Sequence, residues 1–181
     1  MDAPTRGEVV VAGQAVNRLS PGDLTRFRRR TVGFVFANPA AQSIMPTVRE
    51  DLDFSLRGLG LSRDERAARV EASMAEQGLS AHADHPCHLL SSGQQQQLAL
   101  AAVLLREPDV VVADEPTTLL DLRNLRAARR RFAELRQQLV LVTHHLELLE
   151  DVDRVLLVAD GQIAADGEPA EVVARYRRMM A

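Results

Sequence analysis

The feature that most constrains the fold is a set of three short apolar runs that each end in polar residues. They are TVGFVF at 31–36, DVVVA at 109–113 and LVLVT at 139–143. Their β-branched residues favour strands, and the stretches between them are long enough to hold helices. Strands that alternate with helices predict an α/β fold, with a mainly parallel sheet covered by helices on both faces.

The remaining pattern predicts helices and a terminal hairpin. Residues 62–78 give the clearest helix, with Ser62 as N-cap and Gly78 as the stop. Asp160-Gly161 is typical of a tight turn between paired strands. Those two strands are predicted at 154–158 and 162–165, and another strand is predicted at 8–12. A helical turn is expected after a Ser20 or Asp23 cap. Further helices are predicted at 47–59, about 93–106, 121–138, 146–150 and 169–179.

Composition sets the broad class of protein. A chain of 181 residues with 46% hydrophobic and 26% charged residues suits one globular domain. A net charge of −3, 3% aromatic residues and the absence of Trp argue against a nucleic-acid partner. The single Cys excludes an internal disulfide, and no apolar run approaches the roughly 18 residues of a membrane span. We therefore expect a cytoplasmic protein.

An acid pair, Asp114 and Glu115, closes the second apolar run. The end of a buried strand is a fixed point, so a carboxylate there can hold Mg²⁺ directly or through water. The second carboxylate points in another direction and can polarise an attacking water. A solvated acidic turn after a strand explains the pair equally well when it is taken alone.

Three small residues, Ser91, Ser92 and Gly93, stand where a long helix is predicted to begin. Free backbone N–H groups and the helix dipole at such an end bind anions, and the Ser91 hydroxyl adds a donor. An ordinary serine cap on a core helix explains the same residues.

Polar residues also follow the other two runs. Thr143, His144 and His145 end the third run, and a histidine there is expected to face the same sheet edge as the acid pair and to donate to a phosphate. A polar surface role is more common for a histidine at the end of a strand. Gln42 lies in the loop that follows the first run.

The segment HADHPCH, residues 82–88, offers a competing site. It contains His82, His85, Cys87 and His88, which can all ligate a transition metal. Their spacing is tighter than that of the usual zinc modules, and no second pair lies elsewhere in the sequence. A surface loop is therefore the preferred interpretation of this segment.

The order and spacing of these motifs resemble the nucleotide-binding domain of the ATP-binding cassette (ABC) family. LSSGQ at 90–94 resembles the signature motif LSGGQ, VVVADEP at 110–116 resembles Walker B with its catalytic glutamate, and TTLLD at 117–121 resembles the D-loop. VTHH resembles the switch-histidine strand, with His144 in the switch position. The segment VGFVFANPAAQSIMPTVREDLDFSLRGLGL is most similar to the ATPases of energy-coupling-factor importers, which import vitamins or transition-metal ions such as biotin or cobalt.

The resemblance implies a fold and a chemistry. The fold is a P-loop NTPase-like parallel sheet that lacks its P-loop strand, with a helical subdomain and a C-terminal β-hairpin. The cofactors are ATP and Mg²⁺, with Glu115 and His144 as catalytic residues and Asp114 as the metal-binding residue. The residues that would contact the nucleotide are Ser91, Ser92, Gly93, Gln94 and Asp121.

The resemblance also implies partners. A second ABC ATPase subunit would pair head to tail with this chain, so that each ATP site takes its P-loop and Walker B from one chain and its signature from the other. A transmembrane coupling subunit of an importer would dock a cytoplasmic helix near 37–60, which places the chain on the inner face of the cell membrane. Residues 1–181 would form one partial domain, with a helical region at about 43–107 and core regions at 1–42 and 108–181.

The sequence departs from the family pattern in its most important motif. All 22 basic residues are Arg, so the P-loop motif G-x-x-x-x-G-K-[ST] is absent, together with roughly 40–50 residues of its supporting unit. Ala37 stands in place of the Q-loop glutamine, Ser92 in place of a signature glycine, and Gln97 where Arg or Lys is usual. Without the P-loop strand, 139–143 is expected to form an open apolar edge.

Two hypotheses follow. In the first, the chain is an ATP-hydrolysing importer subunit whose N-terminal region is missing through a wrongly chosen start codon or a degraded gene. In the second, it is a non-catalytic ABC-like subunit that lends its signature to a complete partner ATPase. Because the P-loop supplies most of the triphosphate binding, the chain alone is expected to bind ATP very weakly under both hypotheses.

Overall fold

The computed structural model describes residues 4–180 of the chain. The strands are β1 (Val10–Val11), β2 (Gln14–Ala15), β3 (Val32–Val35), β4 (Val110–Asp114), β5 (Gln138–Val142), β6 (Val155–Ala159) and β7 (Gln162–Gly167). The helices are α1 (Pro21–Thr31), α2 (Val48–Ser55), α3 (Arg63–Glu76), α4 (Ser92–Leu104), α5 (Leu122–Ala133) and α6 (Pro169–Met180). Short 3-10 turns lie at Val16–Arg18, Pro39–Ala41, Ser80–His82, Cys87–Leu89 and Leu146–Leu149.

Strands β3, β4 and β5 form a parallel sheet in that order, which confirms the predicted α/β fold. Helices α2, α3 and α4 lie on the connection from β3 to β4, and α5 lies on the connection from β4 to β5. The register places Phe34 beside Val112 and Val112 beside Val140, so these three side chains share one face of the sheet.

The opposite face of the sheet is closed by α4 and α5. Val35, Val111 and Ala113 are buried there with residues of both helices. Gly33 lies on this face, and a β-carbon at its position would overlap Val103 Cγ1 of α4. The helix residues of this core are Leu100, Val103, Ala128 and Phe132.

The first face of the sheet is left partly open. Phe36 is 51% exposed, Val140 is 44% exposed and Val142 is 50% exposed. Within residues 4–180, β5 pairs with β4 alone and its other edge has no strand. The predicted open edge is therefore confirmed. The expectation that helices cover both faces of the sheet is wrong at Phe36, Val140 and Val142, because no described element covers these side chains.

A second core lies in the helical region, by which we mean α2, α3, α4 and the segment from 77 to 91. Asp51 is buried beside this core and accepts the N–H groups of Ile44 and Met45 at 2.7 and 3.0 Å, which fixes the loop before α2. The fully buried members of the core include Val48, Leu52, Leu56, Met74, Leu79 and Leu98.

Several helix ends differ from the predicted positions. Ser20 caps α1, whose eleven residues replace the single predicted helical turn, because Pro21 at the first position and the Ser20 cap favour a full helix. Helix α5 ends at Ala133, five residues before the predicted end. No Gly or Pro marks that end in the sequence, and Gln138 already donates to Asp109 O in the sheet at 3.1 Å.

Two hairpins lie outside the parallel sheet. Strands β6 and β7 pair around Asp160-Gly161, whose φ values of +50° and +72° fit a two-residue type I′ turn. This confirms the predicted hairpin, although β7 is longer than expected. The predicted strand at 8–12 is reduced to β1, which pairs with β2. In the part of the chain that the structure describes, no helix is long and apolar enough to cross a membrane.

Candidate functional site

The acid pair lies at the carboxyl end of β4. Asp114 is the last residue of β4 and is exposed. Glu115 follows with a φ of +48°, and its N–H donates to Val142 O at 2.8 Å. A positive φ is uncommon for a residue with a β-carbon and is often found at functional positions. The turn after β4 is thus tied to the end of β5.

Glu115 and His144 are in direct contact. The Nδ1 atom of His144 lies 2.7 Å from Oε2 of Glu115, and the two side chains are 57% and 27% exposed. Thr118 Oγ1 donates to the same carboxylate oxygen at 3.3 Å and to the Glu115 carbonyl at 3.1 Å. The structure therefore brings together Asp114, Glu115 and His144 at one edge of the sheet.

A second histidine, for which the sequence suggested no role, supports this arrangement. His145 Nδ1 lies 2.8 Å from Oγ1 of Thr117, which is fully buried. The His145 N–H donates to Thr143 Oγ1 at 3.0 Å, and its ring lies 4.3 Å from that of His144. The loops after β4 and β5 are thus held together by two adjacent histidines. The sequence signal for this role is the His-His pair opposite the Thr-Thr pair at 117–118.

The residues at the carboxyl end of the sheet fit a magnesium ion that takes most of its ligands from phosphate and water. Mg²⁺ usually takes one or two carboxylates and completes its shell with phosphate oxygens and water. Asp114 is an exposed carboxylate and meets that requirement. In residues 4–180, no group of three or more His, Cys, Asp or Glu side chains could hold a metal ion by itself.

The chain lacks the groups that usually hold the triphosphate of ATP. In P-loop ATPases the loop N–H groups and a lysine hold the β- and γ-phosphates. The sequence contains neither the motif nor any lysine. A carboxylate such as that of Glu115 supplies neither N–H donors nor positive charge, so it cannot replace those groups.

The signature segment begins α4 with a complete capping box. Ser91 is the N-cap: its Oγ accepts the Gln94 N–H at 3.4 Å, and Gln94 Oε1 accepts the Ser91 N–H at 2.9 Å. The N–H groups of Ser92 and Gly93 precede the first intrahelical hydrogen bond, so no helix carbonyl accepts them, although Gly93 itself is buried. The serine-cap and anion-site interpretations are therefore compatible.

Gly93 is in close contact with the start of α5. A β-carbon at Gly93 would lie 2.6 Å from Oδ1 of Asn124. Asn124 is itself fixed, because its N–H donates to Oδ1 of Asp121, the N-cap of α5, at 2.8 Å. The signature segment and the D-loop segment thus meet through Asn124, a residue that the motifs did not identify.

The glutamine in the loop after β3 bonds to the backbone at the end of that strand. Gln42 Oε1 accepts the Phe36 N–H at 2.8 Å, and Gln42 Nε2 donates to Phe34 O at 3.1 Å. Gln42 therefore closes the end of β3. Ala37, which stands at the Q-loop position, is half-buried and offers no side-chain polar group.

The histidine-rich segment 82–88 forms no metal cluster among the described residues. Backbone hydrogen bonds attach it to the start of α2, including Cys87 N to Pro46 O at 3.0 Å. Cys87 is a buried free thiol whose pKa is raised by that burial, whereas His85 and His88 are exposed. His82 instead contacts Gln94, with 2.8 Å between the two Nε2 atoms.

Comparison with known proteins supports the family resemblance that the motifs indicate. Residues 1–118 match the family model described as ABC transporter. A putative ABC transporter ATP-binding protein of Deinococcus radiodurans is 44% identical over 177 residues, which cover 98% of this chain and 76% of the relative. The biotin transport ATP-binding protein BioM of Rhodobacter capsulatus is 44% identical over 173 residues, covering 96% and 72%.

Solved structures agree with these relatives. The structure of cbiO1 from Clostridium perfringens, described as part of the ABC transporter complex cbiONQ, matches with a TM-score of 0.85 and 27% identity over 98% of this chain and 72% of that chain. A dimeric structure of the ATP-binding cassette MJ0796 with ADP and Pi has a TM-score of 0.79 and 30% identity, covering 93% and 75%. On this evidence, the chain belongs to the ABC transporter family of ATP-binding proteins.

Proposed function

We propose that the chain is an ATP-binding subunit of an energy-coupling-factor type importer for a vitamin or a transition-metal ion, located on the inner face of the cell membrane. Support comes from relatives named as biotin transport and energy-coupling factor ATP-binding proteins, and from the cbiO1 structure. Its helical region, about 43–107, and its core regions, 1–42 and 108–181, form one partial domain in this proposal.

The role that the geometry supports best is to complete the ATP site of a second ABC ATPase in a head-to-tail dimer. The observation that carries this role is the ordered start of α4, where the Ser91–Gln94 capping box leaves the N–H groups of Ser92 and Gly93 free of intrahelical bonds. An anion at this end also gains from the helix dipole. This role needs no P-loop in this chain.

Hydrolysis at the chain's own site is the second candidate. It is favoured by the 2.7 Å contact between Glu115 and His144, which brings the proposed base for water beside the residue proposed to contact the γ-phosphate. Asp114 would hold Mg²⁺ there. This role requires a P-loop, which the 181 residues do not contain.

The transmembrane partner is proposed to dock at a groove between α1, β3, α2 and α4. The groove has a volume of about 560 Å³ and includes Phe34, Phe54 and several arginines. Arg57 lies 5.4 Å from the centre of the Phe54 ring, and burial lowers the pKa of Arg106. A short amphipathic helix with acidic residues would suit such a surface.

A complementation assay tests the proposed role. The partner is the biotin transport ATP-binding protein of Rhodobacter capsulatus, carrying an inactivated signature motif so that its own dimer hydrolyses ATP poorly. Adding this chain is expected to restore hydrolysis, because its Ser91–Gln94 segment completes the partner's site. Ser92→Asp in this chain is expected to abolish the gain, because a carboxylate in the first turn of α4 repels the phosphates, whereas a side chain at Gly93 would overlap Asn124.

Two controls separate the candidates. Glu115→Gln in this chain is expected to leave the complemented rate unchanged if only the signature is used, and to lower it if the chain's own site contributes. The chain alone is expected to show no ATP binding at micromolar concentrations, with or without Mg²⁺. Micromolar binding by the chain alone, or no stimulation of the partner, would contradict the proposal.

A further inference from the structure

Gln94 is held at both ends of its side-chain amide. Its oxygen accepts the Ser91 N–H at 2.9 Å, and its nitrogen lies 2.8 Å from Nε2 of His82. The Ser91 N–H is a donor, so it fixes which end of the amide is the oxygen. The end that faces His82 is therefore the NH₂ group.

This orientation fixes the tautomer of His82. An NH₂ group can only donate, so Nε2 of His82 must accept, and the ring proton must lie on Nδ1. Within residues 4–180, Nδ1 of His82 is buried and has no hydrogen-bond partner. Because Nδ1 has no partner among these residues in either tautomer, the hydrogen bond with Gln94 decides which ring nitrogen carries the proton.

His82 is a rigid support for this contact. It ends the 3-10 turn Ser80–His82, its N–H donates to Leu79 O at 2.8 Å, and its carbonyl accepts the His85 N–H at 2.9 Å. Leu79 is fully buried in the helical core. The His85 ring packs edge-on against the His82 ring with 4.9 Å between centres. The imidazole thus connects the start of α4 to the helical core.

We propose that His82 is a positioning residue for the signature segment: it holds Gln94, and through the capping box it holds Ser91 and the free N–H groups at the start of α4. A Gln side chain has three rotatable bonds, and a single hydrogen bond to Ser91 leaves much of that freedom in place. The second hydrogen bond from His82 restricts it. The catalytic use of this positioning rests on the proposed function.

The geometric part is tested on the full chain alone by heteronuclear NMR of the histidine rings. His82 is expected to carry its proton on Nδ1, and this state is expected to be lost in Gln94→Ala. In His82→Ala, exchange of the Gln94 and Gln95 amides is expected to be about threefold to tenfold faster, because loss of one hydrogen bond loosens the cap. A proton on Nε2 of His82, or unchanged exchange, would overturn the proposal.

The functional part is tested in the complementation assay with three variants. His82→Ala is expected to raise the KM for ATP of the complemented site about threefold to tenfold with a smaller change in kcat. His82→Gln keeps an acceptor at similar reach and is expected to restore KM to within about twofold. His88→Ala removes an exposed histidine of the same segment and is expected to behave like the unmodified chain.

The outcomes distinguish the two proposals. If the unmodified chain fails to stimulate the partner, the proposed function fails, and the NMR measurements still decide the role of His82. If stimulation occurs but His82→Ala matches His88→Ala, positioning by His82 is wrong. A fall in kcat at unchanged KM, or a His82→Gln variant as impaired as His82→Ala, would indicate a folding defect and would equally overturn the proposal.

Discussion

The helical region and the edge strand β5 bury similar residues to very different extents. In the helical region Leu52, Leu56 and Leu98 have no exposed surface. In β5, Val140 and Val142 are 44% and 50% exposed, although they continue a run that is as apolar as any in the chain. The helices α2, α3 and α4 pack around one another, whereas β5 has a neighbouring strand on one side only.

The two groups of candidate functional residues lie in these two different regions. The signature segment and His82 belong to the region whose core is complete, so their geometry depends on contacts within the described chain. Asp114, Glu115 and His144 lie at the end of a sheet with an open edge and a partly open face. The comparison predicts that changes in the helical core destabilise the chain strongly and that changes at the open edge have little effect.

The largest expected effect is that of Leu98→Ala. Leu98 is fully buried in α4, so its truncation leaves a cavity and is expected to lower the free energy of unfolding by about 2–5 kcal/mol. Urea denaturation followed by circular dichroism measures this change. Leu122→Ala is the matched control, because Leu122 is 55% exposed, and it is expected to cost under about 1 kcal/mol. Equal costs would contradict the comparison.

A smaller effect is expected for Gly33→Ala on the closed face of the sheet. The added β-carbon would overlap Val103 Cγ1 and lie 3.3 Å from Cγ of Pro108, so helix α4 must shift at a cost of about 1–3 kcal/mol. Thermal and urea unfolding measure the loss. At Gly22 nothing lies within 4 Å of the added β-carbon, so Gly22→Ala is expected to be neutral or stabilising.

Thiol labelling compares the two regions directly. Burial raises the pKa of Cys87, so at pH 8 its thiolate fraction is below that of a free thiol, and its reaction rate should keep rising with pH where a free thiol levels off. Its reaction with iodoacetamide in the folded chain is expected to be at least about tenfold slower than in urea.

The control for this labelling is a new thiol at the open edge. In Cys87→Ala/Val140→Cys, the introduced residue replaces a side chain that is 44% exposed. It is expected to react at nearly the same rate in the folded chain and in urea. Slow labelling at position 140 would mean that the edge is covered in solution.

The smallest effect on stability is expected for Val140→Lys. A lysine at a half-exposed edge position can extend into water, so the free energy of unfolding is expected to change by less than about 0.5 kcal/mol. Charge on an open edge opposes pairing with another chain, so light scattering should show less aggregation. A large loss of stability would show that Val140 is shielded by a contact absent from the described chain.

Much of the fold was predictable from local sequence. The three apolar runs, the capping residue Ser62 and the turn Asp160-Gly161 each have a short-range physical cause and lie where predicted, and the serine cap considered for α4 is Ser91. The end of α5 at Ala133 was not predictable, because no Gly or Pro marks it in the sequence. The helix ends before Gln138 because that residue pairs in the sheet.

The candidate site was predictable in its members and not in its contacts. The motifs identified Asp114, Glu115 and His144, because a polar residue at the end of an apolar run can be read from the sequence. For His145 the only local signal is the adjacent His-His pair, and no local pattern marked Asn124 or His82 as supporting residues. Their partners lie 28, 31 and 12 positions away in the chain, at Thr117, Gly93 and Gln94.

The sequence by itself determined the alternation of strands and helices, the caps and the absence of a phosphate-binding lysine, because hydrophobic period, local hydrogen bonding and composition act over a few residues. Tertiary structure alone decided that Glu115 meets His144, that His82 holds Gln94 and that β5 keeps an open edge. These features depend on which distant segments become neighbours when the chain packs, and short-range preferences carry no information about that choice.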